Sequence, residues 1–256
     1  MSTGVRPRTL PRRRKPSLVA RVRPFWIIAL VFIAALTWGG YALANASWFR
    51  VQHVGIDVPL ASPVSQRQVH DAAAISPDAN VWLLHAAAIR RRIEAIPYVD
   101  IATVHRGQFP QPFVEIGITV RRPAACVRTG ARIVTVDARE RVLQNGCAAS
   151  APAQIDAGPH ALAAPGATIE DPDIGRLLAD ARLLADASLP VRKLGRDKWG
   201  GLEAVDITGV TLRFGDDADL TKKAALVAPV RAGVGSKRPL RAIDLRAPAT
   251  PVVEFR

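Results

Sequence analysis

From Pro24 to Phe49 the chain runs 26 residues without a charge. Within that run, Phe25–Ala46 is predominantly apolar; at about 1.5 Å rise per residue, 22 residues span about 33 Å, matching the ~30 Å hydrocarbon core of a bilayer. Trp26, Trp38, Tyr41 and Trp48 lie mostly toward its ends, where amphipathic rings favour the membrane interface. Pro24 suits the first position of a helix, because its missing N–H would have had no intrahelical partner there. Beyond the span the period shifts. Trp48 to Val58 alternates around Val51, Val54, Ile56 and Val58, which predicts a strand ending at Pro59. Ser65 predicts an N-cap for a short helix to Ala74, and Ser76–Asn80 a turn. Leu84, Ala88, Ile89, Ile93 and Ile96 keep helical spacing up to Pro97, with Arg90, Arg91 and Arg92 on the solvated side. Val99–Val104 and Phe113–Val120 alternate as two strands of a hairpin across the proline-containing turn 107–112. The order β-α-α-β-β gives a three-stranded sheet with two helices over one face.

The remaining sequence predicts a second, mainly antiparallel α+β unit. Three short β-type runs, Ala125–Arg128, Arg132–Val136 and Arg141–Leu143, come first. Residues 148–173, rich in Ala, Pro and Gly, predict a connecting loop. Asp171-Pro172 predicts an N-cap and first helical residue for a helix to about Ser188. Strands follow at Leu202–Thr208 and Val210–Phe214 with Gly209 at their turn, then a short helix at about Leu220–Val227 broken by Pro229. Leu240–Arg246 and Val252–Phe255 close the chain as two strand-like pieces.

Charge adds direction to this outline. The chain has 35 Lys+Arg against 22 Asp+Glu, a net +13. Eight of the cations, and no acid, fall in residues 1–24. This tail lacks the apolar residues for a core and is expected to be disordered. The positive-inside bias puts it in the cytoplasm and the region after the span outside. Ala42-Leu43-Ala44 resembles a signal-peptide cleavage site. However, the apolar run exceeds the ~7–15 residues of a signal h-region, so an uncleaved anchor is the preferred reading. With the excess charge confined to a tail, nucleic-acid binding is not expected.

Candidate chemistry is sparse. His53, His70, His85, His105 and His160 are widely separated, so no metal site is expected. No G-x-S-x-G elbow occurs. Gly233-x-Gly235-Ser236-Lys237 lacks the spacing of a phosphate loop and reads as a flexible turn. Asp137 and Glu140 read as surface charges. No catalytic residue, cofactor or small-molecule substrate is expected. Cys126 and Cys147 flank the three short β-runs on the outer side, where oxidation is permitted; they are either a disulfide or two buried thiols.

Residues 77–125 carry a specific pattern: Asn80-x-Trp82, Ile89 to Glu94, Pro97-Tyr98-Val99, Ala102-x-Val104-x-Arg106, Phe109-Pro110 and Arg121-Arg122-Pro123-Ala124-Ala125. Together they resemble the POTRA module of the bacterial division family FtsQ/DivIB. Val134-x-Val136-Asp137, Arg141-Val142-Leu143, Arg196-Asp197-Lys198-Trp199, Pro229-Val230 and Ile243-Asp244-Leu245-Arg246 are similar to family positions further on. There are departures: Val120 stands for a frequent acidic residue, Tyr98 for Trp, Ala247 where an aromatic is expected, and Phe255 near a terminal Trp.

The resemblance implies a tail at 1–24, a transmembrane helix at 25–46, a POTRA domain at 47–122 and an FtsQ-type β domain at 123–256. It implies a non-enzymatic, single-pass divisome scaffold of the inner membrane, periplasmic after the span and acting at the septum. It further implies that the β domain binds FtsB and FtsL by strand addition at a terminal edge, and that the POTRA domain binds other divisome membrane proteins. On that basis the candidate partner-binding residues are Arg196, Ala242, Ile243, Leu245, Arg246, Ala247, Val252, Val253 and Phe255. Arg196 either pairs with a partner's acid or is a solvated strand-end charge. A membrane-anchored periplasmic enzyme or substrate-binding protein is the alternative. A POTRA transport component would call for repeated modules or a barrel, which the sequence lacks.

Overall fold

The computed structural model describes residues 18–107, 112–159, 162–235 and 238–256. The tail expected to be disordered falls largely outside these residues, as do most of the turn containing Phe109-Pro110, His160, and Ser236-Lys237 of the glycine-containing turn. Helix α1 covers Leu18–Ala44. It therefore starts before the apolar run, and Pro24 sits inside it rather than at its first position. The window Phe25–Ala42 has a mean hydropathy of 1.9, and none of it is buried against the rest of the protein. The Thr37 hydroxyl donates to Ile33 O at 3.0 Å, so this polar group is satisfied within the helix.

After a 3₁₀ turn at Ser47–Phe49 come β1 (His53–Asp57), α2 (Gln66–Ala73), α3 (Ala86–Glu94), β2 (Val99–Arg106) and β3 (Phe113–Val120). The first strand is thus shorter than the alternation from Trp48 predicts, because its early residues form the 3₁₀ turn. The capping box at α2 is complete: Ser65 Oγ accepts from Gln68 N at 3.2 Å, and Gln68 Oε1 accepts from Ser65 N at 2.9 Å. This satisfies an otherwise orphan donor at the helix start. The sheet order is β1-β3-β2, with β1 parallel to β3 and β2 antiparallel to it. Val69 and Ala73 from α2 and Ile89 and Ile93 from α3 close over Val99, Ala102, Val114 and Ile116 of the sheet, all at most 2% exposed.

Beyond Arg122 a nine-stranded sheet forms from β4 (Ala125–Thr129), β5 (Arg132–Val136), β6 (Val142–Asn145), β7 (Gln154–Asp156), β8 (Val191–Arg196), β9 (Leu202–Asp206), β10 (Thr211–Gly215), β11 (Leu240–Asp244) and β12 (Val252–Phe255). Its order is β12-β11-β10-β9-β8-β7-β4-β5-β6. Most neighbours are antiparallel, while β7 pairs in parallel with both β4 and β8, and β10 with β11. Helices α4 (Pro172–Asp186) and α5 (Leu220–Val234) complete the unit. The Asp171 side chain caps α4, accepting from Asp173 N at 2.9 Å.

Asp137, expected as a surface charge, is 4% exposed. The segment 148–173 is not all loop, because it contributes β7, whose Ile155 is fully buried in the middle of the sheet. The strand β8 follows α4 directly, where no strand was expected. Pro229 does not end α5, which continues to Val234, although its nitrogen has no N–H to donate to the preceding turn.

The two sheets meet at Arg121. Its guanidinium pairs with Asp137 at 2.8 Å and Asp100 at 3.1 Å. Beside it, Tyr98 Oη donates to Gln144 Oε1 at 2.7 Å, and Arg141 Nη2 donates to Glu94 O at 3.2 Å. Cys126 and Cys147 form a disulfide with a Cα–Cα distance of 5.3 Å.

Candidate functional site

Strand β12 lies at one end of the nine-stranded sheet, and among the described residues no strand pairs with its outer side. Its four residues are mostly β-branched or aromatic, and Pro251 precedes them, so a short edge strand is the local outcome. Val252 is 60% exposed and Phe255 38%, while Val253 packs partly against the core. The Arg238 guanidinium stands 5.5 Å from the Phe255 ring centre. On the same sheet, Arg213 of β10 donates to Glu254 Oε1 at 2.6 Å and lies 3.6 Å from Glu203 Oε2, which ties β12 inward by charge.

The neighbouring strand β11 is different in kind. It pairs with β10 in parallel, Leu212 opposite Ile243, and with β12 in antiparallel, Ile243 opposite Val253. Both of its backbone edges are therefore used. Ala242, Ile243 and Leu245 are at most 1% exposed and belong to the core. As side chains, these three candidate residues support the edge from behind rather than present a surface. Arg246 and Ala247 are exposed in the turn between β11 and β12. Arg246 Nε donates to Asp244 Oδ1 at 3.0 Å. That charge-assisted bond holds the Asp244 carboxyl below its ordinary range despite partial burial.

Arg196, at the end of β8, is already occupied. Its two terminal nitrogens donate to both oxygens of Asp217 at 2.6 and 2.8 Å, and Asp180 Oδ2 lies 3.8 Å away. Asp180 sits on α4 and is 6% exposed. Burial, reinforced by the nearby Asp217 charge and opposed by Arg196, pushes its pKa up to about 6. An acid on a partner would have to displace Asp217 or join it. The sequence singled out Arg196 but not Asp180 or Asp217, since only the folded sheet and α4 bring the three together. The Arg121 junction was likewise visible only as part of an Arg-Arg-Pro string.

A cavity of about 490 Å³ lies between α4 and the sheet, and among the described residues Glu140 and Arg182 are the ionisable side chains that line it. Among the described residues, no three His, Cys, Asp or Glu side chains come together as metal ligands would.

Compared with known protein families, residues 49–120 match the model of the POTRA domain, FtsQ-type. This match supports the resemblance to the FtsQ/DivIB family and points to a cell division protein. It covers the three-stranded sheet and its two helices, and stops before the nine-stranded sheet. No curated protein matches the chain.

Proposed function

We propose that this protein is a non-enzymatic, membrane-anchored divisome scaffold that binds FtsB and FtsL by adding a partner strand to β12. The observation carrying this reading is that, among the described residues, no strand pairs with the outer side of β12, whereas at the other end of the sheet Val142 of β6 bonds to Gly166 and Ala167. A free strand edge offers a row of N–H and C=O groups, and an extended segment can satisfy them while its alternate side chains provide specificity. Val252, Val253 and Phe255 line the added strand. Arg246 and Ala247 flank its end, and Ala242, Ile243 and Leu245 hold the edge in place. Arg196 contributes through the Asp217 pair, at most ~0–1 kcal/mol for an ion pair that water reaches.

The domain division 1–24, 25–46, 47–122 and 123–256 belongs to the same proposal. So does a POTRA domain that engages other division membrane proteins. The cationic tail faces the cytoplasm and the folded region the periplasm, at the septum of the inner membrane. The Cys126–Cys147 disulfide suits that oxidising side, and eight cations before the span suit the other.

The test is capture of purified FtsB/FtsL by the full chain in detergent. The wild-type chain should retain the pair and Val252→Lys should lose it with unfolding unchanged. Equal capture by both would remove β12 from the interface, and no capture by either would leave the family reading without this function.

A further inference from the structure

Three exposed apolar side chains lie on two backbone-joined segments where the chain leaves α1. Trp48 is 73% exposed, Trp82 48% and Leu83 65%. Trp48 lies in the 3₁₀ turn after the helix, whereas Trp82 and Leu83 lie in a turn before α3. The backbone joins them. Val81 N donates to Phe49 O at 2.8 Å, Val51 N donates to Ala79 O at 3.0 Å, and Arg50 bridges to Asn80 in antiparallel fashion. The turn itself is held by Asn80, whose side-chain oxygen accepts from Trp82 N at 2.8 Å and whose carbonyl accepts from Leu83 N at 3.0 Å. Trp82 and Leu83 are therefore presented by a braced loop.

The braced loop cannot lie far from the bilayer. Helix α1 ends at Ala44, and Arg50 already pairs with Asn80. Even fully extended, Asn45–Arg50 spans at most about 20 Å, and the 3₁₀ turn shortens it. The headgroup region on one side of a bilayer is about 5–8 Å deep, and tryptophan favours that level. A cation accompanies the apolar pair: Arg106 Nη1 donates to Trp82 O at 3.2 Å and to Leu84 O at 3.5 Å, which sets a guanidinium beside the turn. An apolar pair next to a guanidinium fits acyl chains beneath lipid phosphates.

We propose that the turn 79–84 is a lipid contact, in which Trp82 and Leu83 join Trp48 in the headgroup region of the membrane that α1 crosses. The contact rests on α1 spanning the membrane and extends that interface onto the folded domain. Anchored at both Trp48 and Trp82, the β1–β3 domain is held against the bilayer instead of swinging on its linker.

Single-tryptophan versions of the full chain, reconstituted in phosphatidylcholine–phosphatidylglycerol vesicles, test this. All five tryptophans are at least 48% exposed, so phenylalanine at the others opens no core void, and circular dichroism checks the fold. Chains keeping only Trp38 or only Trp82 should lose most of their emission when the acyl chains carry bromine, while a Trp199-only chain keeps its emission. If Trp38 is quenched and Trp82 is not, the lipid contact is overturned while the span stands, and the patch is left to a protein partner. If Trp38 also escapes quenching, the span itself fails and the contact with it.

Discussion

β6 and β12 are the outermost strands of one sheet, yet among the described residues only β6 has other chain bonded to its outer side, at its first residue. Val142 N donates to Ala167 O, Gly166 N donates to Val142 O, both at 2.8 Å, and Arg141 bridges to Thr168. The segment after β6 is further pinned to β4 by the disulfide. β12 has a partner on its inner side and, among the described residues, no strand on its outer one. An uncovered edge is a liability for aggregation; a loop and a disulfide hold one edge, while the other, also four residues long, is left open. The difference supports the proposal that β12 pairs with a partner strand.

The comparison can be pressed in several ways, beginning with the largest effect. Leu245→Asp puts a charge beside β11 at a fully buried position. It should cost about 4 kcal/mol in urea denaturation, since a buried carboxylate without a partner is among the most damaging changes. Wild-type stability there would mean that β11 is not interior. Removing the disulfide by Cys147→Ser, which opens a link between residues 21 apart, should cost about 3 kcal/mol by the chain-entropy account.

Gly166 has φ +92° and donates to β6. Gly166→Pro denies both the angle and the donor, and should cost about 2 kcal/mol. It should also let β6 pair between molecules, visible as concentration-dependent association in size-exclusion chromatography; a strictly monomeric variant would show that the loop is not the cover.

Between the edges, Asp180 offers a pH readout. Because burial raises its carboxyl to about 6, the favourable neutral form is complete below the ordinary value near 3.8 and is lost as pH rises through about 6. Asp180→Asn should therefore stabilise by on the order of 1 kcal/mol at about pH 7.5 and change little at about pH 3.5. A Tm gain that is the same at both values would contradict the burial account. Smallest in stability is Val252→Lys, expected within about 0.5 kcal/mol of wild type at an exposed site, although it removes partner capture.

Much of the β1–β3 domain was legible because its signals are local. Ser65 with Gln68 makes a capping box from residues three apart, and the alternation in Val99–Val104 and Phe113–Val120 reports a one-sided core directly. The second sheet was harder to read. β7 is three residues with one buried apolar side chain, too short for any period to register. β8 was hidden because Val191 and Leu194 break strict alternation through a register shift, and its parallel neighbour β7 lies far away in sequence. The candidate residues split for the same reason. Ile243 and Val253 look alike as apolar strand residues, and only pairing decides that one is fully buried and the other sits on the edge strand.

The sequence by itself determined the apolar span and its charged flank, the β-α-α-β-β order, and the family likeness of residues 77–125, since hydrophobic period, caps and charge are properties of neighbouring residues. Only the tertiary structure decided which strand ends the sheet, that Asp217 and Asp180 meet Arg196, and that the turn carrying Trp82 is bonded to the segment carrying Trp48. Those outcomes depend on pairings between distant segments, whose register is set by burying one shared core and leaves no periodic trace in either segment alone.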